Sequence, residues 1–279
     1  MPPFVRFFGG ILALSAPATC FVSAPAAAPS ASSRRAASSA TAAEAAAPNP
    51  RKEGLALLLD DGTRKSHSVA ENTAFVTGFF KGLSTRDEYA KLLTSLYFVY
   101  EAMEAAFDAT DEAGVKALDD AALRRVDAAR TDLRYYYGEG WSDRLAPSRA
   151  TRKYVRRIEA VAAENPKLLI AHQYSRYLGD LFGGQMMGGM ATKSLDLREG
   201  VGVSFYQFDG IDNTGDYITS WYSKLNALDL TDEEKRAIVD EANHVFALNI
   251  EIFDELEGSA AKAVVSFAWQ TFKEKVGLA

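Results

Sequence analysis

An all-α fold, one helical domain behind a disordered leader, is what this 279-residue sequence predicts, and three observations carry the prediction. Thr85-x-x-Glu88 and Thr231-x-x-Glu234 are capping-box patterns, in which a hydroxyl and a carboxylate three residues apart satisfy the open amides of a first turn. Asn165-Pro166 is a third start signal, an N-cap residue followed by the ring that suits the first helical position. Extended signals are confined to residues 203–208, from Val203 to Phe208, a run too short and too isolated to build a sheet.

Taken in order, helices are predicted at about 54–79, 86–108, 119–137, 148–163, 167–194, 214–227, 232–257 and 259–275. The first carries His67, with Ala70, Glu71, Ala74 and Gly78 following on the same face at i+3, i+4, i+7 and i+11. The second opens on the Thr85 box. The third and fourth lead to the Asn165-Pro166 start of the fifth, where Leu168, Leu169, His172, Tyr174 and Tyr177 recur at the mixed spacings of a largely buried helix. The sixth follows the extended candidate, the seventh opens on the Thr231 box, and the eighth completes the chain. No repeat period appears, so residues 51–279 form one domain.

Composition changes sharply near residue 50. Residues 1–50 hold three basic side chains (Arg6, Arg34, Arg35), one acid (Glu44) and long stretches of Ala, Ser and Pro. Arg6 followed by an apolar run to Ala16 reads as a short signal-peptide core, and the Ser-rich, nearly acid-free remainder as a transit segment. A bipartite plastid leader is the expectation, with an Ala-rich tail as the competing reading. Setting the leader aside leaves 28 basic and 36 acidic side chains, a net charge of −8, which removes the electrostatic footprint of a nucleic-acid binder. No apolar run approaches the ~18 residues of a spanning helix, so no membrane anchor is expected. The single cysteine, Cys20, leaves any metal to histidine, carboxylate or a cofactor.

Five glycines, at 179, 183, 184, 188 and 189, fall inside a segment whose flanks are plainly helical. Each costs on the order of 0.8–1 kcal/mol relative to Ala in a helix interior. Bare backbone lying against a ligand offsets that cost, and so does tight helix packing through small residues. A phosphate loop is excluded, because no strand precedes the glycines and no Lys-Ser/Thr follows them.

The sequence has three histidines, at 67, 172 and 244. Glu241-x-x-His244 is half of a di-iron carboxylate signature, but Arg64 and Leu169 stand three residues before the other two, so the second half is missing. His67 heads a strip of small side chains on which a flat ligand can lie, and Glu71 one turn on can orient the imidazole. Periodicity alone leaves His67 either a ligand or a satisfied half-buried histidine.

Taken together, Gly62-Thr-Arg-Lys-Ser-His-Ser-Val-Ala-Glu-Asn-Thr-Ala-Phe75, Ser95-Leu-Tyr-Phe-Val-Tyr100, Tyr177-Leu-Gly-Asp-Leu-Phe-Gly-Gly-Gln185 and Phe246-Ala-Leu-Asn249 resemble heme oxygenase, most closely the cyanobacterial and plastid type. The resemblance covers nearly all of residues 52–257 in order. It implies the heme oxygenase helical bundle, with heme between the His67 helix and the glycine helix. It implies that His67 is the proximal iron ligand, with Arg64, Ala70 and Glu71 beside it. Gly179 and Gly183 match the distal glycines, and Asp180 the distal carboxylate that holds water and steers a proton. Tyr100 and Arg176 match members of that network, and Tyr174, Phe246 and Asn249 match pocket-wall or network positions. Heme is then cofactor and substrate, opened with molecular oxygen to biliverdin, iron and carbon monoxide for bilin synthesis in a plastid, by a monomer with ferredoxin as electron donor.

Departures accompany the matches. Asp60 stands seven residues before His67, where the family has Lys or Arg. Ile218 and Tyr222 stand where Lys and Arg reach the heme propionates, Phe182 replaces a serine, and Gly188 and Gly189 replace two lysines. Lost charge-assisted contacts predict weaker heme binding, since each is typically worth ~1.5–3 kcal/mol. The competing expectation is therefore a non-catalytic heme-binding or structural protein that keeps the bundle.

Overall fold

The computed structural model describes residues 49–198 and 200–276, the side chains as far as Leu256. The predicted leader lies outside the described residues apart from Asn49 and Pro50. Those two belong to the folded unit: Asn49 caps a 3₁₀ turn over Pro50–Lys52, and Pro50 is buried. All described elements are helical. They are α1 (Gly54–Glu71), α2 (Ala74–Phe80), α3 (Arg86–Ala109), α4 (Ala113–Leu118), α5 (Val126–Tyr137), α6 (Arg149–Glu164), α7 (Leu169–His172), α8 (Gln185–Ser194), α9 (Thr214–Asn226) and α10 (Asp232–Val276). Between α7 and α8 run two π-helical turns, Gln173–Leu178 and Asp180–Gly184.

Local chemistry sets several of these boundaries. Both predicted capping boxes form: the Thr85 amide donates to Glu88 at 2.7 Å, and the Thr231 amide to Glu234 at 2.8 Å. The predicted helix 54–79 is instead two, because Thr73 takes an extended conformation and its hydroxyl caps Val76. Ala74 and Gly78 thus stand on α2, and the small-residue strip beyond His67 does not run along one helix. The residues predicted as helices 232–257 and 259–275 form one continuous helix, α10.

The extended candidate winds into a 3₁₀ turn, Ser204–Tyr206. Tertiary contact decides this: the buried Asp132 carboxylate of α5 accepts the amides of Ser204 at 2.9 Å and Phe205 at 2.8 Å.

α3 is the central post. Its buried face, Tyr89, Leu92, Leu93, Leu96, Val99, Tyr100, Met103 and Phe107, recurs at three and four spacings. It packs against α5, α6 and α10, while α10 also lies along α1. Fully burying each Leu, Val, Met or Phe of this face contributes about 1.5–3 kcal/mol to the cohesion of the bundle. No helix among the described residues is long and apolar enough to cross a membrane.

Candidate active site

Four elements converge on one buried polar cluster. Arg176 lies in the first π turn and Asp180 opens the second, one turn on, and Arg176 Nη2 donates to Asp180 Oδ2 at 2.5 Å. The Tyr100 hydroxyl of α3 donates to the same Oδ2 at 2.5 Å. Arg176 Nη1 donates to Asn249 Oδ1 of α10 at 2.8 Å, and the Asn249 amide is fixed by Val245 O. Every member is buried. Burial, reinforced by the charge of Asp180, pushes the Tyr100 hydroxyl far above its ordinary pKa and keeps it a donor. Burial alone would lower the Arg176 guanidinium, but Asp180 and Tyr100 outweigh it and raise it.

His67 sits in the C-terminal half of α1 and is half-buried. Its Nδ1 is 3.5 Å from Glu71 Oε1, and its ring meets Phe246 of α10 edge to face at 5.5 Å. Phe246 and Asn249 are one turn apart on α10, so that helix links the imidazole to the polar cluster. Burial, then the positive charge of Arg51, lowers the His67 pKa against the opposing pull of Asp60, which favours the neutral imidazole a metal requires.

The glycines divide into two kinds. Gly179, at the junction of the π turns, is exposed with nothing within 4 Å of where a Cβ would stand. Gly184 and Gly188 pack on Tyr206: a Cβ at Gly184 would stand 2.5 Å from its ring, and one at Gly188 3.0 Å from its Cβ. Gly183 lies in the second π turn and is half-buried. None of these positions has a left-handed backbone, so close approach and bare surface account for the glycines. π turns are rare and concentrate at functional sites.

The remaining predicted positions divide likewise. Ala70 is buried behind His67, and Tyr174 is half-buried. Arg64 points outward, 70% exposed, and pairs with Asp61 and, at 3.8 Å, with Asp60. His172 is fully buried against Glu241, and His244 is exposed. Glu241 is engaged by Arg157 as well as His172, so the di-iron half-signature serves as an internal brace. A cleft of about 490 Å³ between α6 and α10 is lined by Arg149, Lys153, Arg156, Glu251, Asp254 and Glu255, and contains none of these site residues.

A heme oxygenase family model matches residues 53–255. The chain belongs to the heme oxygenase family. A heme oxygenase of Guillardia theta is 43% identical over 206 residues, 74% of this chain and 87% of that protein. One from Porphyra purpurea is 39% identical over 221 residues, covering 79% and 94%. The crystal structure of heme oxygenase-1 from the cyanobacterium Synechocystis, in complex with heme, superposes with a TM-score of 0.74 at 39% identity, covering 79% of this chain and all of that one.

The residues present fit the group that the family takes as substrate. Gly179 presents bare, exposed backbone with nothing within 4 Å of where a Cβ would stand, a face against which a flat ligand can lie. Within the polar cluster, Arg176 Nε is buried with no hydrogen-bond partner among the described residues, a polar end that ordered water can satisfy. Tyr154, fully buried, and Arg51, which bonds Asp60, escaped the sequence reading. Tyr154 reads as one more core residue of an amphipathic helix. Arg51 lies just before the matched residues, where no periodic signal reaches.

Proposed function

We propose that this chain is a heme-degrading oxygenase that opens heme to biliverdin, ferrous iron and carbon monoxide, using molecular oxygen. The observation that carries the reading is the Asp180 carboxylate, buried and held by Tyr100 and Arg176 beside the bare backbone of Gly179. His67 would hold the iron through Nε2, since Nδ1 is the nitrogen turned to Glu71. Bound heme supplies both the iron that activates oxygen and the porphyrin edge that is oxidised.

The protein's own part is to exclude, orient and hold protons. Gly179 and Gly183 would present backbone alone to the heme, so neither position supplies a side-chain base or a second iron ligand. Both hydrogen bonds to Asp180 fall on Oδ2, which leaves Oδ1 for a water that would pass a proton toward the distal face. Tyr100 and Arg176 fix the carboxylate in that orientation, and Asn249 fixes Arg176. Phe246 braces the imidazole, Ala70 and Tyr174 are proposed as pocket wall, and Arg64, one turn before His67, is engaged by Asp61 and Asp60.

The finer reading takes residues 51–279 as the catalytic domain, acting as a monomer in the plastid stroma behind a bipartite leader, with ferredoxin as electron donor and bilin pigment synthesis as the destination of the product. The algal relatives are compatible with the plastid part of this reading. The test is incubation of residues 49–279 with hemin, oxygen and a reduced ferredoxin system. A biliverdin spectrum is expected, and quantitative recovery of intact heme would overturn the reading. A non-catalytic heme-binding protein is the second reading, favoured by Phe182, which stands 45% exposed in the second π turn, and by Asp60 and Tyr222 in place of cations. Hemin binding without product would select it.

A further inference from the structure

Asp60, Ile218 and Tyr222 remove the cations expected to meet the two carboxylates of heme, yet a cation stands at that place. Arg51 is carried by the 3₁₀ turn ahead of α1, and its Nη2 donates to Asp60 Oδ1 at 2.6 Å. Asp60 and His67 lie two turns apart on the same face of α1, a rise of about 10 Å. That rise is comparable with the reach from the centre of a porphyrin to the ends of its carboxylate arms. A ligand whose iron sits at His67 and whose carboxylates point toward the start of α1 therefore brings them to Arg51.

The guanidinium is held in place from behind. Asn226, at the end of α9, donates to Pro50 O at 2.7 Å and accepts the Ala56 amide at 2.9 Å, which ties the Arg51 turn to the first turn of α1. Arg51 is only about one-third exposed, and the Asp60 contact uses one of its five N–H donors. The buried ring of Tyr222, on α9, and Tyr174 stand close enough to feel its charge. Arg64, the cation on this face of α1, is 70% exposed, bonded to Asp61 and 3.8 Å from the other oxygen of Asp60.

We propose that Arg51 is the carboxylate-binding residue of this site, oriented by Asp60, and that it replaces the cations lost at positions 60, 218 and 222. The site would take a planar macrocycle bearing carboxylates, with Arg51 selecting the acid over its ester. This inference rests on the heme reading above but assigns a residue outside the span of the family match, which begins at residue 53.

The experiment is a spectroscopic titration of the heme-free protein, wild type, Arg51→Leu and Arg51→Lys, with hemin and with hemin dimethyl ester, whose carboxylates are blocked. For Arg51→Leu the hemin dissociation constant is expected to rise about tenfold or more, the size of one charge-assisted contact. The ester constant is expected to stay at the wild-type value, and Arg51→Lys to keep most of the hemin affinity. Wild-type hemin affinity in Arg51→Leu, or an equal loss for hemin and its ester, would overturn the proposal while leaving the heme reading intact. A wild-type protein that takes up no hemin would overturn both.

Discussion

His67 is the one histidine of the three whose setting suits a metal. His172 is sealed in the core with its Nε2 3.2 Å from Glu241, and His244 faces outward from α10. Replacing His67 by Ala is therefore expected to abolish the histidine-ligated absorption spectrum of the hemin complex; an unchanged spectrum would move the ligand elsewhere. Phe182 raises a different question at the same scale. Its ring is exposed, three residues after Gly179 and four before the equally exposed Met186, on the stretch where backbone is otherwise left bare. Phe182→Ser is expected to raise turnover at limiting oxygen, measured as the initial rate of biliverdin formation, and an unchanged rate would mean that the ring points away from the distal face. The positions proposed for His67, Asp180 and their partners were legible in the sequence as motif matches, because each of these residues sits in a short local pattern. Arg51 was not, because its role depends on an ion pair closed across a turn and two turns of helix.

The π-helical stretch between α7 and α8 makes a separation between structure and function that substitution can read. Gly184 and Gly188 let Tyr206 lie against the helix, whereas Gly179 faces open space. Gly184→Ala forces a methyl onto a buried ring, and is expected to destabilise the fold by about 1–3 kcal/mol, measured by chemical denaturation. Gly179→Ala meets no atom and is expected to leave the denaturation midpoint unlowered while it weakens hemin binding and slows turnover. The reverse pattern, with Gly179→Ala destabilising and Gly184→Ala silent, would exchange the two assignments. Elements were legible where their boundaries are local, as at the Thr85 and Thr231 caps, whose bonds close within three residues. They were not legible where a distant partner decides: the Asp132 carboxylate winds residues 204–206 away from the extended form, and the glycine segment widens into π turns while Arg176 reaches Asp180 and Asn249.

At the scale of the molecule, a second buried brace ties α6, α7 and α10 and gives the fold a pH dependence. Arg157 Nε donates to Glu241 Oε1 at 3.0 Å, and His172 Nε2 reaches the same oxygen. Burial lowers the pKa of His172 despite this contact; its Nδ1 has no partner among the described residues, so a second proton there would be a buried, unsatisfied donor. The unfolded chain therefore takes up a proton that the folded chain refuses as pH falls below about 6.5, and stability declines from there by at most about 1.4 kcal/mol per pH unit for one group. Burial would raise the Glu241 carboxyl, but the bonds from His172 and Arg157 hold it down to about 2, so its contribution persists above 4.5 and is lost between there and about 2. Denaturation midpoints between pH 7 and 5 should fall for the wild type and fall less steeply for His172→Gln; equal slopes would exclude His172 as the source. The bundle and the caps were thus legible from patterning, while the braces that fix α10 against its neighbours were not, since Glu241 entered the sequence reading only through an incomplete di-iron half-signature and its partners Arg157 and His172 lie on other helices. The central claim, that a charged Asp180 inside the Tyr100–Arg176–Asn249 network directs heme opening, is tested most directly by a single-turnover comparison of wild type and Asp180→Asn with hemin, oxygen and reductant. Asn keeps the volume and its carbonyl oxygen can accept the same two bonds, so Tyr100 and Arg176 keep an acceptor while Arg176 loses its buried counter-charge; hemin affinity, measured alongside, shows whether the site survives. Equal hemin affinity with biliverdin formed by the wild type alone is the predicted result, and biliverdin formed by Asp180→Asn at the wild-type rate would contradict the account.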